Sequence, residues 1–210
     1  MKNRLLLLIV AFHPTDIEVT RLLSCLRSLS STISYAVVCN DFMPGEPAQR
    51  LSNGAEYFLT NTDNPGYGRA VNRLVSCLKH IPPFLGILNT DLTWMPNTFE
   101  VILEWLTFNN DVNLLVPKIT SINGEMQKLC KRNPTVLAMF SRRFIPAWLK
   151  PDWLCRYDEW YTMSEYDYNK VFEVPYLSGC CMVTNSSSFI SSGGFDNRFF
   201  LYLEDADLTR

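Results

Sequence analysis

Asn89-Thr90-Asp91 is the residue group in this sequence that is best suited to metal chemistry. It follows a short apolar run, and a carboxylate at the end of a strand is a hard oxygen ligand of the kind that Mg²⁺ or Mn²⁺ prefers. Such a cation can bridge a diphosphate and neutralise charge on a departing group. The sequence therefore predicts Asn89 and Asp91 at a ligand site, with Asp91 holding Mg²⁺ or Mn²⁺.

Two further polar groups follow earlier apolar runs. Phe12-His13 ends the first run and Asn40-Asp41 ends the second. In open parallel sheets, ligands bind outside the carboxyl ends of the strands. Asn and Asp also favour turns, so each group alone is explained by ordinary turn chemistry. Their coincidence at successive strand ends favours one ligand-binding edge.

A phosphatase reading of the Asp91 segment fails on residue type. Ile87 to Thr93 resembles the aspartate-nucleophile strand of haloacid-dehalogenase-type phosphatases. That chemistry needs a carboxylate at the first position, where this chain has Asn89. The amide cannot form a phosphoaspartate, so this reading is set aside.

The segment Asn64-Pro65-Gly66-Tyr67-Gly68-Arg69-Ala70-Val71-Asn72 is the second chemical signal. Its two glycines allow the backbone to approach a ligand closely, and the helix that follows offers free N–H groups to an anion. We expect Gly66, Tyr67, Gly68 and Asn72 to contact the ligand. The spacing differs from G-x-G-x-x-G, so a Rossmann dinucleotide site is disfavoured. An ordinary loop before a helix remains the alternative.

Three acids close the sequence, directly after an apolar run. Glu204, Asp205 and Asp207 follow Phe199 to Leu203. Carboxylates beside apolar surface have raised proton affinity, which suits a general base. Acids are also favoured in the first turn of a helix by its dipole, and both explanations can hold together.

The elements that must position these residues alternate along the first half of the chain. This rhythm predicts an α/β fold with a mainly parallel sheet and helices on both faces. Beyond Pro117 the rhythm breaks, with a hairpin turn at Asn123-Gly124, an irregular aromatic-rich region over 134–170 and strand character over 174–184. The predicted strands of the first half are 5–12, 33–39, 57–60, 84–88 and 112–116, and a helix is predicted over 98–108.

Composition excludes several classes of protein. The chain has 210 residues, 47% hydrophobic content and a net charge of −2, as expected of one globular domain without a nucleic-acid partner. Its seven cysteines form no C-x-x-C pair, which favours free thiols in a reducing compartment. The apolar run after Arg4 is too short for a membrane span and is predicted to be a buried strand. We therefore expect a cytoplasmic protein.

These motifs together resemble glycosyltransferase family 2, the inverting enzymes with a GT-A fold, and more closely its rhamnosyltransferase-like members. Asn64 to Asn72 is similar to the family's Asn-x-Gly-Phe-Gly-x-x-x-Asn, and Leu88-Asn89-Thr90-Asp91 is similar to its Leu-Asn-Pro-Asp. Gly193 to Arg210 is similar to its Gly-Gly-Phe-Asp…Glu-Asp-x-Asp-Leu…Arg.

The resemblance implies roles for single residues. It makes Asp91 the metal ligand and Asp205 the catalytic base, with Glu204 beside it. Gly179 would lie in the wall of the sugar and acceptor pocket, with Cys180 and Asp207 also on the acceptor side. The family's Asp directly after the second strand is replaced by Cys39-Asn40-Asp41, where Asp41 would read the base from a shifted turn.

The resemblance also implies a reaction and its partners. Rhamnose or another hexose would pass from a nucleoside diphosphate to a hydroxyl of a saccharide or lipid-linked saccharide, with inversion, in surface polysaccharide biosynthesis. Residues 1–210 would form a single domain, with a donor half over 1–117 and an acceptor half over 118–210. Peripheral association with the inner face of the cell membrane is expected.

Three alternatives or qualifications accompany that expectation. A sugar-phosphate nucleotidyltransferase would need a Gly-rich, Lys- or Arg-bearing first loop, which His13-Pro14-Thr15 does not supply. A catalytically silent nucleotide-sugar-binding remnant is the second. The printed chain ends at Arg210, soon after the acidic motif, so we expect weak transfer by these residues alone, and self-association.

The aromatic stretch Phe144 to Tyr161 has two readings. Its Trp and Tyr residues suit a membrane interface or a sugar-stacking platform. Packing beneath an irregular loop is the alternative.

Overall fold

Strands and helices alternate through the first half of the chain, as the sequence predicts. The computed structural model describes residues 3–210. The elements of this half are β1 (Leu5–Phe12), α1 (Asp16–Leu26), β2 (Ile33–Asn40), β3 (Tyr57–Thr60), α2 (Tyr67–Cys77), β4 (Phe84–Asn89), α3 (Thr98–Phe108) and β5 (Leu114–Leu115). The elements that follow are β6 (Cys130–Lys131), α4 (Val136–Phe144), α5 (Asp152–Tyr161), β7 (Tyr176–Leu177), β8 (Cys181–Asn185), α6 (Ser186–Ser191) and α7 (Glu204–Leu208).

The central sheet has six strands in the order β3-β2-β1-β4-β8-β5. The β1–β2, β1–β4 and β2–β3 pairs are parallel, whereas β8 runs antiparallel to both β4 and β5. The α/β class and the mainly parallel sheet are confirmed. The strand predicted over 112–116 is corrected: only Leu114–Leu115 pairs, and it pairs antiparallel at the sheet edge.

The core explains why β1 is an unbroken apolar run. Seven of its eight residues are buried, because it lies between two strands and is covered on both faces. Leu5, Leu7 and Ile9 pack on one face with α1 and α3. Leu6 and Leu8 pack on the other face with α2. Burial of this kind fixes the carboxyl ends of β1, β2 and β4 at one edge.

The second half contains regular structure that the sequence did not predict. The interpretation of 134–170 as irregular was wrong, since α4 and α5 lie there. The Thr135 hydroxyl caps α4 by accepting a hydrogen bond from the Ala138 N–H at 3.1 Å, and Pro151 stands directly before α5. These caps were available in the sequence and were overlooked.

Strand character over 174–184 is divided between two sheets. β7 pairs with β6 in a separate two-stranded sheet, and β8 joins the central sheet. The hairpin turn predicted at Asn123-Gly124 is confirmed by the bridge between Thr120 and Met126 around it. In residues 3–210, no helix combines the length and the apolar character that a membrane crossing requires. All seven cysteines belong to this range and are free thiols.

Candidate active site

The predicted donor residues lie side by side at the carboxyl edge of the central sheet. Phe12 at the end of β1 is in register with Asn40 at the end of β2. On the other side of β1, Val10 is in register with Asn89 at the end of β4. Neighbouring strands are about 4.8 Å apart, so the fold brings the three polar groups together.

His13 and Asp41 form an ion pair at this edge. His13 Nε2 is 3.1 Å from Asp41 Oδ2, and Nδ1 is 3.0 Å from Glu46 Oε2. Both His13 and Asp41 have positive φ, at 44° and 51°, a conformation that costs energy for residues with a side chain. The hydrogen bonds that the protonated ring donates, first to Asp41 and then to Glu46, raise the pKa of His13 above its ordinary value of 6.5.

Asn40 has a structural task that the sequence did not reveal. Its side chain is buried, and its Oδ1 accepts a hydrogen bond from Asn61 Nδ2 at 2.9 Å. Its Nδ2 donates to Asn64 Oδ1 at 3.4 Å and to the Gly66 carbonyl at 3.5 Å. Both amide atoms thus hold the 61–66 loop, and the contact of Asn40 with a donor stays a prediction. Asp41 keeps an exposed carboxylate at the same turn.

Asp91 lies in the turn after β4 with its side chain exposed. It lines an open cleft of about 840 Å³ together with Arg21, Lys118 and Cys180. The two basic side chains were not among the predicted site residues, because nothing in the sequence places them in the same cleft as Asp91. A carboxylate with nearby cations suits a metal-bound diphosphate.

The residues present fit a cation that is shared with a ligand. Within residues 3–210, no three His, Cys, Asp or Glu side chains gather closely enough to form a metal cage. Mg²⁺ is commonly held by one or two carboxylates plus substrate phosphates. The exposed Asp91 can serve as such a single protein ligand.

The two glycines of the 64–72 loop make room for protein rather than for open solvent. A Cβ on Gly66 would lie 2.2 Å from the Phe200 carbonyl oxygen, and one on Gly68 would lie 2.7 Å from Phe195 Cβ. Gly66 also has a φ of 92°, which favours glycine. The two glycines therefore allow a close approach of the 195–200 segment, whereas the expected approach to a ligand stays a prediction.

Asn72 and Tyr67 also bond to residues of the second half. The Asn72 side chain donates to the Phe195 carbonyl at 2.7 Å and accepts from the Phe195 N–H at 3.1 Å. The buried Tyr67 hydroxyl donates to the Gly179 carbonyl at 3.0 Å, and burial raises its pKa well above 10. These four loop residues were predicted to bind the donor, which stays a prediction; in the structure they contact Gly179, Phe195 and Phe200.

Asp205 is held by three hydrogen bonds. Its Oδ1 accepts from the Tyr176 hydroxyl at 3.1 Å and from the Ala206 N–H at 2.9 Å. Its Oδ2 accepts from the Gly179 N–H at 2.9 Å. A side chain at Gly179 would be crowded here, since a Cβ would lie 3.2 Å from Asp205 Cβ. Tyr176 was missed in the sequence, where only Gly179 and Cys180 were singled out.

Glu204 is the carboxylate whose proton affinity is raised. It is buried, and its Oε2 has no hydrogen-bond partner within the described part of the chain. Burial raises its pKa above 4.5, and the nearby charge of Asp205 raises it further. The argument from apolar surroundings therefore describes Glu204, whereas Asp205 accepts three hydrogen bonds from protein groups.

Cys180 joins the two halves of the site. Its carbonyl accepts the Asn89 N–H at 3.2 Å, which ties the residues after β7 to the end of β4. Burial raises the pKa of its thiol, and the charge of Asp91 raises it further. Asp91 thus lies close to Cys180, and Asp205 is bonded to the preceding residue, Gly179. Asp207, also predicted on the acceptor side, lies in the first turn of α7.

Comparison with known proteins identifies the fold. No protein-family model matches the chain. A 179-residue stretch is 29% identical to the N-acetylglucosaminyl-diphospho-decaprenol L-rhamnosyltransferase of Mycobacterium tuberculosis, covering 80% of this chain and 56% of that protein. The chain therefore spans about half the length of the curated relatives it matches.

Solved structures agree with that similarity. Residues 1–349 of S. aureus TarS superpose with a TM-score of 0.63 at 16% identity, over 98% of this chain and 54% of that one. The mannosyltransferase PcManGT from Pyrobaculum calidifontis, in complex with GDP-Man and Mn²⁺, gives 0.63 at 14% identity, over 99% and 51%. The GT-A fold and the resemblance to rhamnosyltransferase-like glycosyltransferases are confirmed.

Proposed function

We propose that this chain transfers a sugar from a nucleoside diphosphate to an acceptor hydroxyl. The observation that carries the proposal is the junction at Gly179-Cys180. Asp91 and Cys180 line one cleft, and Asp205 is bonded to the Gly179 N–H at 2.9 Å. Asp91, which we assign to the leaving group, and Asp205, which we assign to the incoming hydroxyl, are thus linked through the neighbouring residues Gly179 and Cys180. Similarity to an L-rhamnosyltransferase supports the same activity.

Asp91 would hold Mg²⁺ or Mn²⁺ together with the donor phosphates. When bound, the cation supplies neutralisation of the negative charge on the leaving nucleoside diphosphate. The PcManGT structure contains Mn²⁺ with GDP-Man, which supports a divalent cation here. Phe12, His13, Asp41 and Asn89 would form the donor edge beside it.

Asp205 would act as the general base through Oδ2. A carboxylate has about four lone-pair sites, two on each oxygen. Oδ1 already accepts two hydrogen bonds, whereas Oδ2 accepts one, from Gly179. The free site on Oδ2 can take the acceptor's proton.

Transfer then balances in one displacement. The acceptor oxygen forms a bond to the anomeric carbon as its proton passes to Asp205, and the bond from that carbon to the diphosphate oxygen breaks. Attack from the face opposite the diphosphate gives inversion. Rhamnose as the sugar and a diphospholipid-linked saccharide as the acceptor are the first choices, because the curated relative is named for them.

The experiment is a transfer assay with matched variants. The chain is incubated with a panel of nucleoside-diphosphate sugars, including a rhamnose donor, and with N-acetylglucosaminyl-diphospholipid acceptors in Mn²⁺ or Mg²⁺. Product mass and nucleotide release are measured. Asp205→Asn should lower transfer by about 10²-fold or more while donor binding persists. Asp111→Asn, at an exposed carboxylate that has no role in the proposed site, is the matched control.

Three results would contradict parts of the proposal. Donor binding without transfer to any acceptor would favour the silent remnant. Loss of transfer in Glu204→Gln, with Asp205→Asn still active, would move the base to the neighbour. Equal donor binding with Mn²⁺ and with a chelator, in wild type and Asp91→Asn alike, would remove Asp91 as the metal ligand.

A further inference from the structure

An apolar surface covers the outside of the hairpin formed by α4 and α5. Of the 22 large hydrophobic side chains that are exposed in residues 3–210, nine fall in the 25 residues from 136 to 160. We call them the hairpin surface: Val136, Leu137, Met139, Phe140, Phe144, Trp148, Leu149, Trp153 and Trp160. Such a concentration marks a site of interaction rather than scattered surface residues.

α4 carries its apolar residues on the outward side. The residues that it buries are Ala138 and Ser141, both fully inaccessible. The Ser141 hydroxyl donates inward to the Asp158 carboxylate of α5, 3.1 Å from each oxygen. Phe140 and Phe144 point outward, 54% and 68% exposed, with ring centroids 5.2 Å apart. A surface helix of a globular domain has the opposite arrangement, with its apolar stripe facing the core.

Positive charge is concentrated in the same part of the chain. Residues 126–151 contain six basic residues and no acid, although the whole chain has a net charge of −2. Lys150 is paired with Asp158, and Arg132 is paired with Glu165. Arg142 and Arg143, in the last turn of α4, are exposed and directly precede the exposed Phe144.

We propose that the hairpin surface docks on a bilayer that contains anionic lipids. Exposed Trp and Phe rings suit the depth of the lipid headgroups, and basic residues beside them attract anionic lipid. A second copy of this chain fits less well. A two-fold interface places the same patch against itself, so Arg142 and Arg143 would face their own like charges.

Docking would place the proposed acceptor side next to the lipid. The Arg132 N–H donates to the Tyr161 carbonyl at 2.9 Å, which joins the hairpin to β6. In β6, Lys131 pairs with Tyr176 of β7, and the Tyr176 hydroxyl donates to Asp205. A lipid-borne acceptor could then reach the base without leaving the bilayer surface. Only this last consequence rests on the proposed function; the docking does not.

Vesicle sedimentation tests the docking directly. The chain is mixed with vesicles of phosphatidylcholine alone or of phosphatidylcholine with phosphatidylglycerol, at low and high salt. The variants are the pairs Phe144→Ser with Trp148→Ser and Arg142→Gln with Arg143→Gln. The matched control is Phe108→Ser with Ile122→Ser, whose parent side chains are 80% and 91% exposed outside the hairpin. Thermal unfolding of each variant verifies that it is folded.

We expect wild type to bind the anionic vesicles and to be released by salt, since surface charge attraction is screened. The Arg142 and Arg143 pair should bind at least about tenfold more weakly than wild type, because each basic residue near an anionic surface contributes about fivefold. The Phe144 and Trp148 pair should also bind at least about tenfold more weakly, because it loses apolar area that enters the headgroup region. The Phe108 and Ile122 control should bind like wild type. Trp emission should shift to shorter wavelength on binding, and this shift should shrink in the Trp148 pair.

Three outcomes would overturn the docking proposal. Wild type that ignores anionic vesicles at low salt is the first, and a control pair that loses as much binding as the hairpin pairs is the second. The third is a wild-type dimer, measured by sedimentation velocity, that the hairpin pairs convert to monomer without any vesicle binding. Because none of these measurements uses a donor sugar, they are independent of the transfer assay.

Discussion

The two halves of the molecule position their parts of the site by different means. In the half up to Val116, the strands β1 and β2 have eight residues each and are almost wholly buried. Beyond it, β6 and β7 have two residues each, and Asp205 is located by three hydrogen bonds. The proposed donor edge is thus fixed by apolar burial, and the proposed acceptor side by a small number of directed polar contacts. Substitutions in the two halves should therefore have different effects on stability.

The largest effect should come from the core of the first half. Leu7→Ala removes a fully buried side chain from β1. We expect it to lower the free energy of unfolding by about 2–5 kcal/mol, through lost burial and the cavity left behind. The matched change Leu149→Ala, at a side chain 57% exposed, should cost less than about 0.5 kcal/mol. Chemical denaturation measures the free energy of unfolding of both variants. Equal losses would contradict the view that apolar burial in β1 fixes the first half.

A polar contact by which the first half holds a segment of the second half should give the next largest effect. Asn72→Ala leaves the N–H and carbonyl of buried Phe195 without their partner. We expect a loss of about 1–3 kcal/mol, the cost of an unsatisfied buried polar group. Hydrogen exchange should speed up in residues 195–208 and stay slow in β1. Asn123→Ala, in an exposed turn, is the control, and uniform exchange over the whole chain would contradict the local effect.

The effect of Glu204 on stability should depend on pH. Its pKa is higher in the folded chain than 4.5, so the folded chain binds more protons and loses stability as pH rises from about 4.5 through the folded pKa. Glu204→Gln removes that loss. The variant's Tm relative to wild type should therefore be higher at pH 7.5 than at pH 4, and each kcal/mol gained corresponds to roughly 2–4 °C. A difference independent of pH would show that Glu204 is not penalised by burial.

His13 gives the smallest predicted effect. Its pKa is raised by Asp41 and Glu46, so the stability it contributes is fully present below pH 6.5 and is lost as pH rises through the folded pKa. His13→Gln should therefore lower the Tm more at pH 6 than at pH 8.5. The change should be small, because ion pairs with exposed members contribute little. His80→Gln is the control, and a larger loss at pH 8.5 would reverse the assignment.

Hydrophobic periodicity was enough to predict the first half. The helix predicted over 98–108 has those bounds in the structure, and β1 and β3 also match residue by residue. Long buried elements carry many apolar residues at a fixed period, so the pattern is strong. The carboxyl-edge grouping of His13, Asp41 and Asp91 followed from the parallel order alone.

The acceptor side could not be predicted in the same way. β6 and β7 pair across a separation of more than 40 residues with two residues each, too few to show a period. Lys131 contacts the ring of Tyr176 only because of that pairing, and the Tyr176 hydroxyl in turn donates to Asp205. Glu204 and Asp205 are neighbours in sequence, yet their environments differ because each side chain leaves the backbone in its own direction. The roles assigned to them remain predictions that the transfer assay must test.

The position of β1 has a consequence for how the chain is made. Its sequence, LLLLIVAF, has no charge and no proline, the composition that favours pairing with other chains. One neighbour, Ile33–Asn40, follows soon, but the other, Phe84–Asn89, is synthesised much later. Until then one edge of β1 is open, and Arg4 beside it is the charge that discourages aggregation. The segment that anchors the folded sheet is thus the one that most needs protection during synthesis.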